Sequence, residues 1–395
     1  MRTVKLNELC LMKSGGTPSR KKPEFYNGLI PWAKISDLES SPDGFVYDTE
    51  EHITNDGLAS INNRLFTSNT LFLAMYGSVG KTAISKVEMS TNQAILGINI
   101  KDQAELDLYY LQYWFRTIKQ KLLNRAVGGT LQNISLTIVK DLEIPLPPLE
   151  EQKKIATILD AADDYRQKTK ALVDKYDQLT QSLFLDMFGD STNTERTELA
   201  NTVTDKGHFV DGPFGSNLKV SDQTEKGIRL IQVNNIGVRV FRDKTSRFTS
   251  VEKYETLRKH EVIPGDLVVA KMGEPLGRCC ILPNHISKAL VVADCMRIRV
   301  SSPHFISKYV MFFLNSYDAK QQIKNLSRGS TRVRINLSML RKLKIPKPTL
   351  SSQNQFAERV AQIEQQKQQA EASLVKAEEL FSSLLQRAFK GELTS

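Results

Sequence analysis

The sequence has little cysteine and no long apolar run. Its four cysteines, Cys10, Cys279, Cys280 and Cys295, fall unevenly between the two halves of the 395 residues, which excludes a symmetric disulfide framework, and none forms the CxxC pair of a zinc site. The longest apolar run, Leu71 to Tyr76, is far too short to cross a membrane, and the opening MRTVKLNEL has no apolar signal core. We therefore expect a cytoplasmic protein with reduced cysteines, and we interpret these residues as buried thiols rather than as part of a metal cluster with His285.

The chain contains a long internal repeat. The stretch from Gly128 to Gln152, which includes LTIVKDLEIPLPPLEEQ, reappears from Gly329 to Gln353, which includes LSMLRKLKIPKPTLSSQ. One shift of 201 residues aligns Gln152 with Gln353 and Ile144-Pro145 with Ile345-Pro346. A repeat of this size is a duplicated domain with its linker rather than a solenoid unit. A duplicated binding module can bind two sites at once.

Signatures of catalysis are scarce. The five histidines give no HExxH pair, and there is no GxGxxG loop and no NPPY-like methyltransferase motif. YGSVGKT, from Tyr76 to Thr82, resembles the end of a phosphate-binding P-loop, but the motif needs a glycine where Met75 stands. The second copy has Arg278-Cys279 at the end of this stretch. A hairpin turn with basic residues is therefore the better interpretation, and nucleotide binding is not expected there.

A nuclease-like set of residues is the other partial match. Asp141, Glu151 and Lys153 include the carboxylates and the lysine of a metal-dependent nuclease, but prolines separate them and Glu151 suits the first turn of a helix. The second copy replaces them with Lys342, Ser352 and Asn354. The sequence therefore predicts no catalytic residue, no metal ligand and no cofactor bound by this chain.

The positive charge is concentrated in the second copy. The formal net charge is +10, yet residues 1–150 hold 16 basic and 16 acidic side chains, whereas residues 191–350 hold 27 and 14. A basic domain suits a polyanion, because neutralised phosphates supply much of the affinity of such domains. A solvated surface that only keeps the protein soluble is the alternative.

Both globular regions are predicted to mix helices and strands. Residues 30–35, 69–84 and 94–100 have the apolar runs and turn residues of strands, and residues 228–233, 265–281 and 295–300 are their counterparts. An amphipathic helix follows in each copy, near residues 106–125 and 307–327. We predict an α+β fold with two pseudo-repeated α/β domains.

A long helix follows each globular region, after the proline-rich LPPLEEQ and KPTLSSQ. Apolar residues step by three and four through both helices, which predicts an antiparallel coiled coil that joins the two domains. At 1.5 Å per residue, about 38 residues give a rod of roughly 55 Å that separates the domains like a ruler. The residues predicted to pack between the helices are Ile155, Ile158, Ala162, Leu172, Leu179, Leu183, Val360, Ile363, Leu374, Phe381 and Leu384.

The order of these features resembles the DNA-specificity subunits of type I restriction-modification enzymes. Each half closes with I-P-x-P-x-L, a glutamine and a long helix that ends in Phe with a nearby Gly. The resemblance spans essentially the whole chain and rests on the order of its motifs rather than on any one of them. The other matching pieces are GGTPS (15–19), IPWAKISDL (30–38), the hairpin 69–81 with its echo at 265–278, Asn92-Gln93, and the turns 128–130 and 329–331.

The resemblance implies a division of labour. Each globular region is expected to be a target-recognition domain for one half of a bipartite, asymmetric DNA site. The helices are expected to fix the gap between the halves and to dock two modification subunits, which carry S-adenosylmethionine and methylate adenine. Restriction subunits, which use ATP and magnesium, join them to cut unmodified DNA in phage defence. The chain itself would be a non-catalytic specificity subunit.

Base edges in the major groove are read by Arg or Lys at guanine and by Asn or Gln at adenine. The candidate DNA-binding residues are polar loop or strand-end residues at positions that the two copies share. In the first copy they are Ser14, Thr17, Ser19, Arg20, Lys21, Lys22, Lys34, Ser36, Tyr76, Ser78, Lys81 and Gln132. In the second copy they are Ser216, Asn217, Lys219, Gln232, Asn234, Asn235, Lys271, Glu274, Arg278, Arg328, Ser330, Arg332 and Arg334.

The predicted division of the chain follows the repeat. The first recognition domain is expected over residues 1–149, the central helix over 150–190, the second domain over 191–350 and the C-terminal helix over 351–395. The rival interpretations are a stand-alone sequence-specific DNA-binding protein, a nuclease, and a coiled-coil scaffold that does not bind DNA. Co-purification with a modification subunit separates the family-based prediction from all three.

Overall fold

The computed structural model describes residues 2–41, 43–125, 133–189, 194–244, 246–326 and 334–393. The chain divides into two compact units, one formed by Met1–Leu172 with Ala370–Ser395 and the other by Val173–Gln369. Each unit contains one globular half of the repeat and a part of each long helix. Within the described ranges, no helix has both the length and the apolar character needed to cross a membrane.

The first globular half mixes short strands and helices. Its strands are β1 (Thr3–Lys5), β2 (Cys10–Ser14), β3 (Tyr26–Ala33), β4 (Phe45–Val46), β5 (His52–Ile53), β6 (Leu65–Phe66), β7 (Leu71–Ala74), β8 (Thr82–Ser85), β9 (Met89–Thr91), β10 (Ile95–Ile100) and β11 (Glu143–Pro145). Its helices are α1 (Leu6–Leu9), α2 (Ile35–Glu39), α3 (Asn55–Ser60), α4 (Leu108–Arg125) and α5 (Leu136–Lys140).

The central sheet of this half has the strand order β2-β10-β7-β8-β4, and a second sheet has the order β5-β3-β9-β6. Strand β7 is buried on both faces, which is why its sequence is continuously apolar. Leu71 and Leu73 point into the larger core, and Phe72 and Ala74 point into a separate core on the other face. The antiparallel pairing of β7 with β8 confirms that YGSVGKT lies in a hairpin.

A long helix, α6 (Leu149–Phe188), follows, and the second globular half repeats the first. Its strands are β12 (Arg196–Glu198), β13 (Phe209–Asp211), β14 (Gln223–Thr224), β15 (Ile228–Ile231), β16 (Arg247–Thr249), β17 (Glu261–Val262), β18 (Leu267–Ala270), β19 (Cys279–Ile281), β20 (Ala289–Val291), β21 (Cys295–Ile298) and β22 (Lys344–Pro346). Its helices are α7 (Val251–Thr256), α8 (Ser307–Leu314), α9 (Tyr317–Leu326) and α10 (Leu337–Arg341), and the chain closes with α11 (Leu350–Lys390).

The sheet order β13-β21-β18-β19 repeats β2-β10-β7-β8. The side chains alternate as in the first half, because Leu267 and Val269 point into one core and Val268 and Ala270 into another. A parallel pair also recurs, β15 with β20 in place of β3 with β9. The duplication seen in the sequence is therefore a duplication of topology.

A buried glutamine joins the first half to its long helix. The carboxamide of Gln152, in the first turn of α6, is fully buried. Its Oε1 accepts from the backbone N–H of Asp107 at 2.9 Å, and its Nε2 donates to the carbonyls of Glu105 at 2.8 Å and Pro147 at 2.9 Å. These bonds tie the start of α6 to the segment that leads into α4.

The second half has the same joint. Gln353 is fully buried, accepts from the N–H of Ile306 at 3.1 Å, and donates to the carbonyls of His304 at 2.8 Å and Pro348 at 3.1 Å. The repeated glutamine of the sequence is therefore a repeated structural clamp. A buried amide of this kind is stable only when its donors and acceptors are paired.

The long helices pair within each unit. In the second unit, Asp177 of α6 binds Lys367 of α11 at 2.7 Å, while the later Phe184 packs on the earlier Phe356 with ring centroids 5.6 Å apart. The helices therefore run antiparallel there. In the first unit, Phe381 of α11 lies under the guanidinium of Arg166 at 5.1 Å. The predicted antiparallel helix pair is confirmed.

The residues predicted to pack between the helices divide into three groups. Ile155 and Val360 are fully buried, and Ala162, Leu183, Ile363, Leu374, Phe381 and Leu384 are partly buried. Ile158, Leu172 and Leu179 are 38%, 43% and 50% exposed, so their assignment to the helix pair was wrong. Tyr165 is also exposed. These four side chains recur every seven residues and are called the outer stripe of α6.

At two of the exposed positions the buried residue is the next one in the sequence, Leu159 after Ile158 and Thr180 after Leu179. The covered face also includes two polar residues, Thr169 and Thr180. Their hydroxyls donate to the carbonyls of Tyr165 at 2.8 Å and Tyr176 at 2.7 Å, four residues earlier. A threonine that satisfies its hydroxyl within its own helix can be buried like a small apolar residue, which a count of apolar residues misses.

The amphipathic helix predicted over residues 307–327 is interrupted. Helix α8 ends before Asn315, whose Nδ2 donates to the carbonyl of Cys279 at 2.9 Å and whose Oδ1 accepts from the N–H of Cys279 at 3.2 Å. Ser316 then accepts from the N–H of Ala319 at 3.3 Å in the first turn of α9. The pairing of Asn315 with β19 therefore lies at the break between α8 and α9.

The four cysteines are free and buried, as predicted. Burial raises the pKa of Cys10, Cys280 and Cys295 to about 12 each. Such thiols are poor nucleophiles and poor metal ligands, because both roles need the thiolate.

Candidate nucleic-acid interface

Three loops of the first half meet through backbone hydrogen bonds. The N–H of Met75 donates to the carbonyl of Ala94 at 2.8 Å, and the N–H of Ile134 donates to the carbonyl of Met75 at 2.9 Å. The N–H of Gly15 donates to the carbonyl of Ile95 at 3.1 Å. A Cβ at Gly15 would lie 2.2 Å from the carbonyl oxygen of Thr91, so only glycine allows the loops to approach this closely.

The second half repeats these bonds with other residues. The N–H of Lys271 donates to the carbonyl of Asp294 at 2.9 Å, and the N–H of Ile335 donates to the carbonyl of Lys271 at 3.1 Å. The N–H of Gly212 donates to the carbonyl of Cys295 at 3.0 Å, and a Cβ there would lie 1.9 Å from the carbonyl oxygen of Val292. The two halves thus share the same backbone hydrogen bonds at this junction, although the residues that form them differ.

Most of the predicted DNA-binding residues lie on the loops around these two junctions. The first loop cluster comprises residues 14–22, 34–36, 76–78, 92–94 and 133, and the second comprises residues 211–219, 271–274, 293–294 and 334–336. The structure therefore brings together residues that are far apart in the sequence.

In the first loop cluster, two predicted cations share one carboxylate. Arg20 donates to Glu51 at 2.6 Å and Lys34 donates to Glu51 at 2.7 Å. The guanidinium of Arg20 also lies 4.5 Å above the ring of Tyr26 and 5.2 Å above that of Trp32. Hydrogen bonds from Arg20 and Lys34 lower the pKa of Glu51, which therefore stays ionised. Arg20 and Lys34 are held in place rather than free.

The remaining first-copy candidates differ in exposure. Thr17 donates to Gln93, and Ser78 donates to Glu39 in α2. Tyr76 is exposed and its backbone bridges to Asn133. The other exposed candidates of the first copy are Ser19, Lys21, Lys22 and Ser36, and the partly buried ones are Ser14 and Lys81.

The second loop cluster surrounds a cavity of about 450 Å³. On its wall, Lys271 pairs with Asp211 at 2.9 Å, and Arg334 of the wall pairs with Asp294 beside it. Phe214 lies at the rim and is 82% exposed. An aromatic ring this exposed can stack on a base or contact a thymine methyl group. Phe214 was not among the residues predicted from the sequence, although the Gly-Pro-Phe-Gly stretch that presents it is a turn signal.

Two predicted residues of the second copy are buried and stabilise the fold. Arg278 is 7% exposed and donates to the carbonyls of Ile236, Met272 and Val233 at 2.7, 3.1 and 3.1 Å. Asn235 is fully buried and caps its own turn by accepting from the N–H of Gln232 at 3.0 Å. Neither side chain can reach a base while these bonds persist, so we correct their assignment to the DNA surface.

The other candidates of the second copy keep their polar groups near the surface. Exposed ones are Ser216, Asn217, Lys219, Asn234, Glu274 and Arg334, and partly buried ones are Gln232 and Lys271. The candidates Gln132, Arg328, Ser330 and Arg332 lie outside the described residues. In the part of the chain that the structure describes, no group of three or more His, Cys, Asp and Glu side chains has the arrangement of a metal site.

Comparison with known proteins identifies the family. The model described as "Type I restriction modification DNA specificity domain" matches residues 1–175 and 224–376, which together make up most of the chain. The chain therefore belongs to this family, and the resemblance inferred from the sequence is confirmed.

Curated relatives agree with this assignment. The type I restriction enzyme MjaIX specificity subunit of Methanocaldococcus jannaschii is 30% identical over 186 residues, which is 47% of this chain and 43% of that protein. The MjaVIII specificity subunit of the same organism is 24% identical over 340 residues, covering 81% of this chain and 79% of that protein. The EcoBI specificity subunit of Escherichia coli is 24% identical over 355 residues, covering 82% and 74%. The chain thus spans less than half of the first relative and most of the other two.

Solved structures support the fold. The S subunit of the type I restriction-modification system of M. genitalium matches with a TM-score of 0.57 and 16% identity, covering 98% of this chain and 96% of that one. A chain from a study of complex assembly and conformational transition of the type I R-M system matches with a TM-score of 0.62 and 16% identity, covering 99% and 98%. The predicted fold class is confirmed.

Proposed function

We propose that this chain recognises a two-part, asymmetric DNA site and reads one part with each loop cluster. The observation that carries the proposal is the duplicated loop junction, in which the backbone bonds are the same and the side chains differ. Met75 and Ala94 of the first junction correspond to Lys271 and Asp294 of the second. Unlike half-sites require unlike side chains at base edges, and a shared backbone positions them in the same way. In this proposal the chain recognises the DNA sequence, and its partner subunits catalyse the reactions.

The residues proposed to contact DNA are drawn from the exposed polar and aromatic members of the two clusters. In the first cluster they are Thr17, Ser19, Lys21, Lys22, Ser36 and Tyr76. In the second cluster and beside it they are Phe214, Ser216, Asn217, Lys219, Asn234 and Arg334.

The outer stripe of α6 supports a docking role. Ile158, Tyr165, Leu172 and Leu179 are exposed and recur every seven residues, which is the spacing of a seam for another helix. We propose that modification subunits pack on this stripe. Those subunits carry S-adenosylmethionine, and the restriction subunits that join them use ATP and magnesium.

A methylation experiment tests the proposal. The full chain is expressed with its modification subunit in a host without adenine methylation, and the genome is then sequenced for methylated adenines. The expected result is one split motif, and the double variant Asn217→Ala/Lys219→Ala changes only one of its parts. Lys259→Ala, an exposed lysine of the same half outside the cluster, leaves the motif unchanged. An undivided motif, or none, contradicts the proposal.

The same experiment tests the spacer. Inserting one heptad after Leu172 and another after Gln369, where both helices pass from one unit to the other, lengthens each helix by roughly 10 Å, or about three base pairs. The gap in the motif is expected to grow. An unchanged gap in an active complex contradicts the role of the helices as a spacer.

Docking is tested by co-purification. Leu172→Lys with Leu179→Lys places two charges on the outer stripe, and we expect the modification subunit to be lost from the complex. Val251→Lys, which is equally exposed in α7, is the matched control and keeps the subunit. A chain that needs no partner and binds its site tightly alone is instead a stand-alone DNA-binding protein.

A further inference from the structure

A cavity of about 230 Å³ in the first unit has four cations among its lining residues. Lys81 comes from the β7–β8 hairpin, Arg116 and Lys119 come from α4, and Arg166 comes from α6. Asp163 is the carboxylate among the described residues that line it. This cationic cavity shares no lining residue with the outer stripe or with the junction of the first loop cluster, and its Lys81 belongs to the P-loop-like YGSVGKT stretch.

The positive charge of the cationic cavity is only partly balanced. Asp163 accepts from Arg116 at 2.7 Å and from Arg166 at 2.6 Å, so one carboxylate serves two guanidinium groups. Burial alone would raise the pKa of Asp163, but the bonds from both arginines outweigh it and lower the pKa. Neither Lys81 nor Lys119 forms an ion pair within 4 Å of a carboxylate in the described ranges.

The two lysines repel each other and their neighbours. Burial lowers the pKa of Lys81, the charges of Arg116 and Lys119 lower it further, and the charge of Glu39 opposes them without reversing the shift. A partly buried lysine beside two cations is destabilising in its charged form, and a bound anion would offset this. The cavity therefore holds positive charge that its own carboxylate leaves uncompensated.

The backbone explains how these cations are brought together. Gly80 has φ +81° and packs closely against α4. A Cβ at this position would lie only 3.1 Å from the Cγ of Lys119. The N–H of Gly80 donates to the carbonyl of Ala74 at 3.1 Å, and that of Lys81 donates to Ser78 at 3.0 Å. These loop amides are therefore occupied, unlike those of a true P-loop, and an anion in the cavity would be held by side chains.

We propose that the cationic cavity binds a phosphate group. Guanidinium groups form paired hydrogen bonds to phosphate oxygens, and lysine ammonium groups add further positive charge at such a site. The volume accommodates one phosphate or a diphosphate. Two sources share this chemistry, a phosphate of the DNA backbone and a free phosphate or nucleotide.

The second half lacks this set of cations. Tyr110 and Tyr309 occupy matching positions, since each hydroxyl donates to the carbonyl of a closing-strand proline, Pro145 and Pro346. The same alignment places Asn315 where Arg116 stands and Asp318 where Lys119 stands, and the counterpart of Lys81 is the buried Arg278. A cluster needed only for the shared fold would be expected in both halves.

Calorimetric titration of the full chain with pyrophosphate tests the proposal. We expect one equivalent to bind, and Lys81→Gln and Lys119→Gln each to weaken binding about tenfold, the loss of one charged contact. Lys121→Gln removes the same charge from an exposed position of α4 outside the cavity and is expected to bind as the wild type does. Thermal unfolding of each variant checks that the first unit is folded.

Titration with duplex DNA at several salt concentrations distinguishes the two sources. If the phosphate belongs to DNA, pyrophosphate competes with DNA, and Lys119→Gln lowers the slope of log affinity against log salt by about one relative to Lys121→Gln. If it belongs to a free ligand, pyrophosphate binds while the slope is unchanged. The DNA measurement depends on the proposed function, and the pyrophosphate measurement does not. The proposal is overturned if both Lys81→Gln and Lys119→Gln match Lys121→Gln in both titrations.

Discussion

The two halves of the molecule place their cations differently, although they share one topology. The first half is neutral in sum, yet Lys81 and Arg116 converge on a cavity beside the long helices. The second half carries the whole excess of positive charge. Its Arg278, the counterpart of Lys81, nevertheless donates hydrogen bonds to three backbone carbonyls of the same half. Net charge therefore does not locate an anion site. The packing around each cation decides whether its charge is available.

The pair Arg278 and Lys81 gives the largest expected difference. Arg278→Gln leaves buried carbonyls without donors and should lower the free energy of unfolding of the second unit by about 3 kcal/mol. Lys81→Gln removes a charge whose pKa is lowered by burial and by Arg116, so the first unit should be unchanged or slightly more stable at pH 7.

Urea unfolding measures this difference for each unit. Trp32 and Trp114, the two tryptophans, both lie in the first unit, so their fluorescence reports that unit while circular dichroism reports both. Arg278→Gln is expected to shift the dichroism transition and not the fluorescence transition. A shift of both signals together would show that the units unfold as one and would remove the contrast.

The glutamine clamps should behave alike in the two halves. Gln152→Ala and Gln353→Ala each leave one partly buried N–H and two carbonyls unpaired, which should lower the stability of the corresponding unit by about 2 kcal/mol. Gln152→Ala shifts the tryptophan signal, and Gln353→Ala shifts only the dichroism. Gln120→Ala, which breaks an exposed bond to Asn124, is the control and should change stability by less than about 0.5 kcal/mol. Unequal effects would show that the two glutamines contribute different free energies of stabilisation, although their hydrogen bonds are duplicated.

The carboxylates Asp163 and Glu364 should differ in pH dependence. Arg116 and Arg166 hold the pKa of Asp163 below its ordinary 3.8 despite burial, so its contribution is complete above that pH and is lost as the pH falls through the lowered pKa. Asp163→Asn should lower the stability of the first unit by about 1 kcal/mol at pH 7 and flatten its acid unfolding. The aligned Glu364 pairs with Lys308 at 2.7 Å at a more exposed site, and Glu364→Gln should have little effect at any pH.

Substitution of single lysines in the loop clusters should give the smallest effects. Lys22→Gln and Lys219→Gln each remove one exposed cation, and each should weaken DNA binding by less than about 1 kcal/mol. Because the excess of cations lies in the second half, we expect Lys219→Gln to reduce the salt slope more than Lys22→Gln does. Equal reductions would show that both clusters contribute equally to phosphate contacts.

The sequence was informative where one local pattern determined the structure. The hairpin around Gly77 and Gly80 and the two long helices after their prolines follow from local signals, and the structure confirms them. Part of the face of α6 was misassigned because Thr180 is buried in place of Leu179, through a hydroxyl bond within the helix that a hydrophobicity pattern does not contain. A pattern of apolar spacing shows that a helix has a seam, but polar groups satisfied within the helix can move that seam by one residue.

The candidate interface was only partly predictable for a related reason. The loops that carry Thr17, Tyr76 and Lys271 could be found because turn residues and the repeat mark them. Whether a polar side chain in such a loop is free depends on tertiary partners, and nothing local distinguishes the exposed Lys219 from the buried Arg278. The cationic cavity joins a hairpin, α4 and α6, so its residues become neighbours only after folding.

The clamps formed by Gln152 and Gln353 have a consequence for how new specificities can be obtained. Each clamp binds only backbone atoms of the globular half that it holds. These hydrogen bonds therefore do not depend on which side chains the loops of that half carry. A globular half with different loops, taken from another chain of the same topology, should therefore form the same hydrogen bonds with the glutamine. We therefore expect that a new DNA target can be obtained by exchanging a whole globular half and keeping the long helices. Such an exchange requires no redesign of individual loop residues.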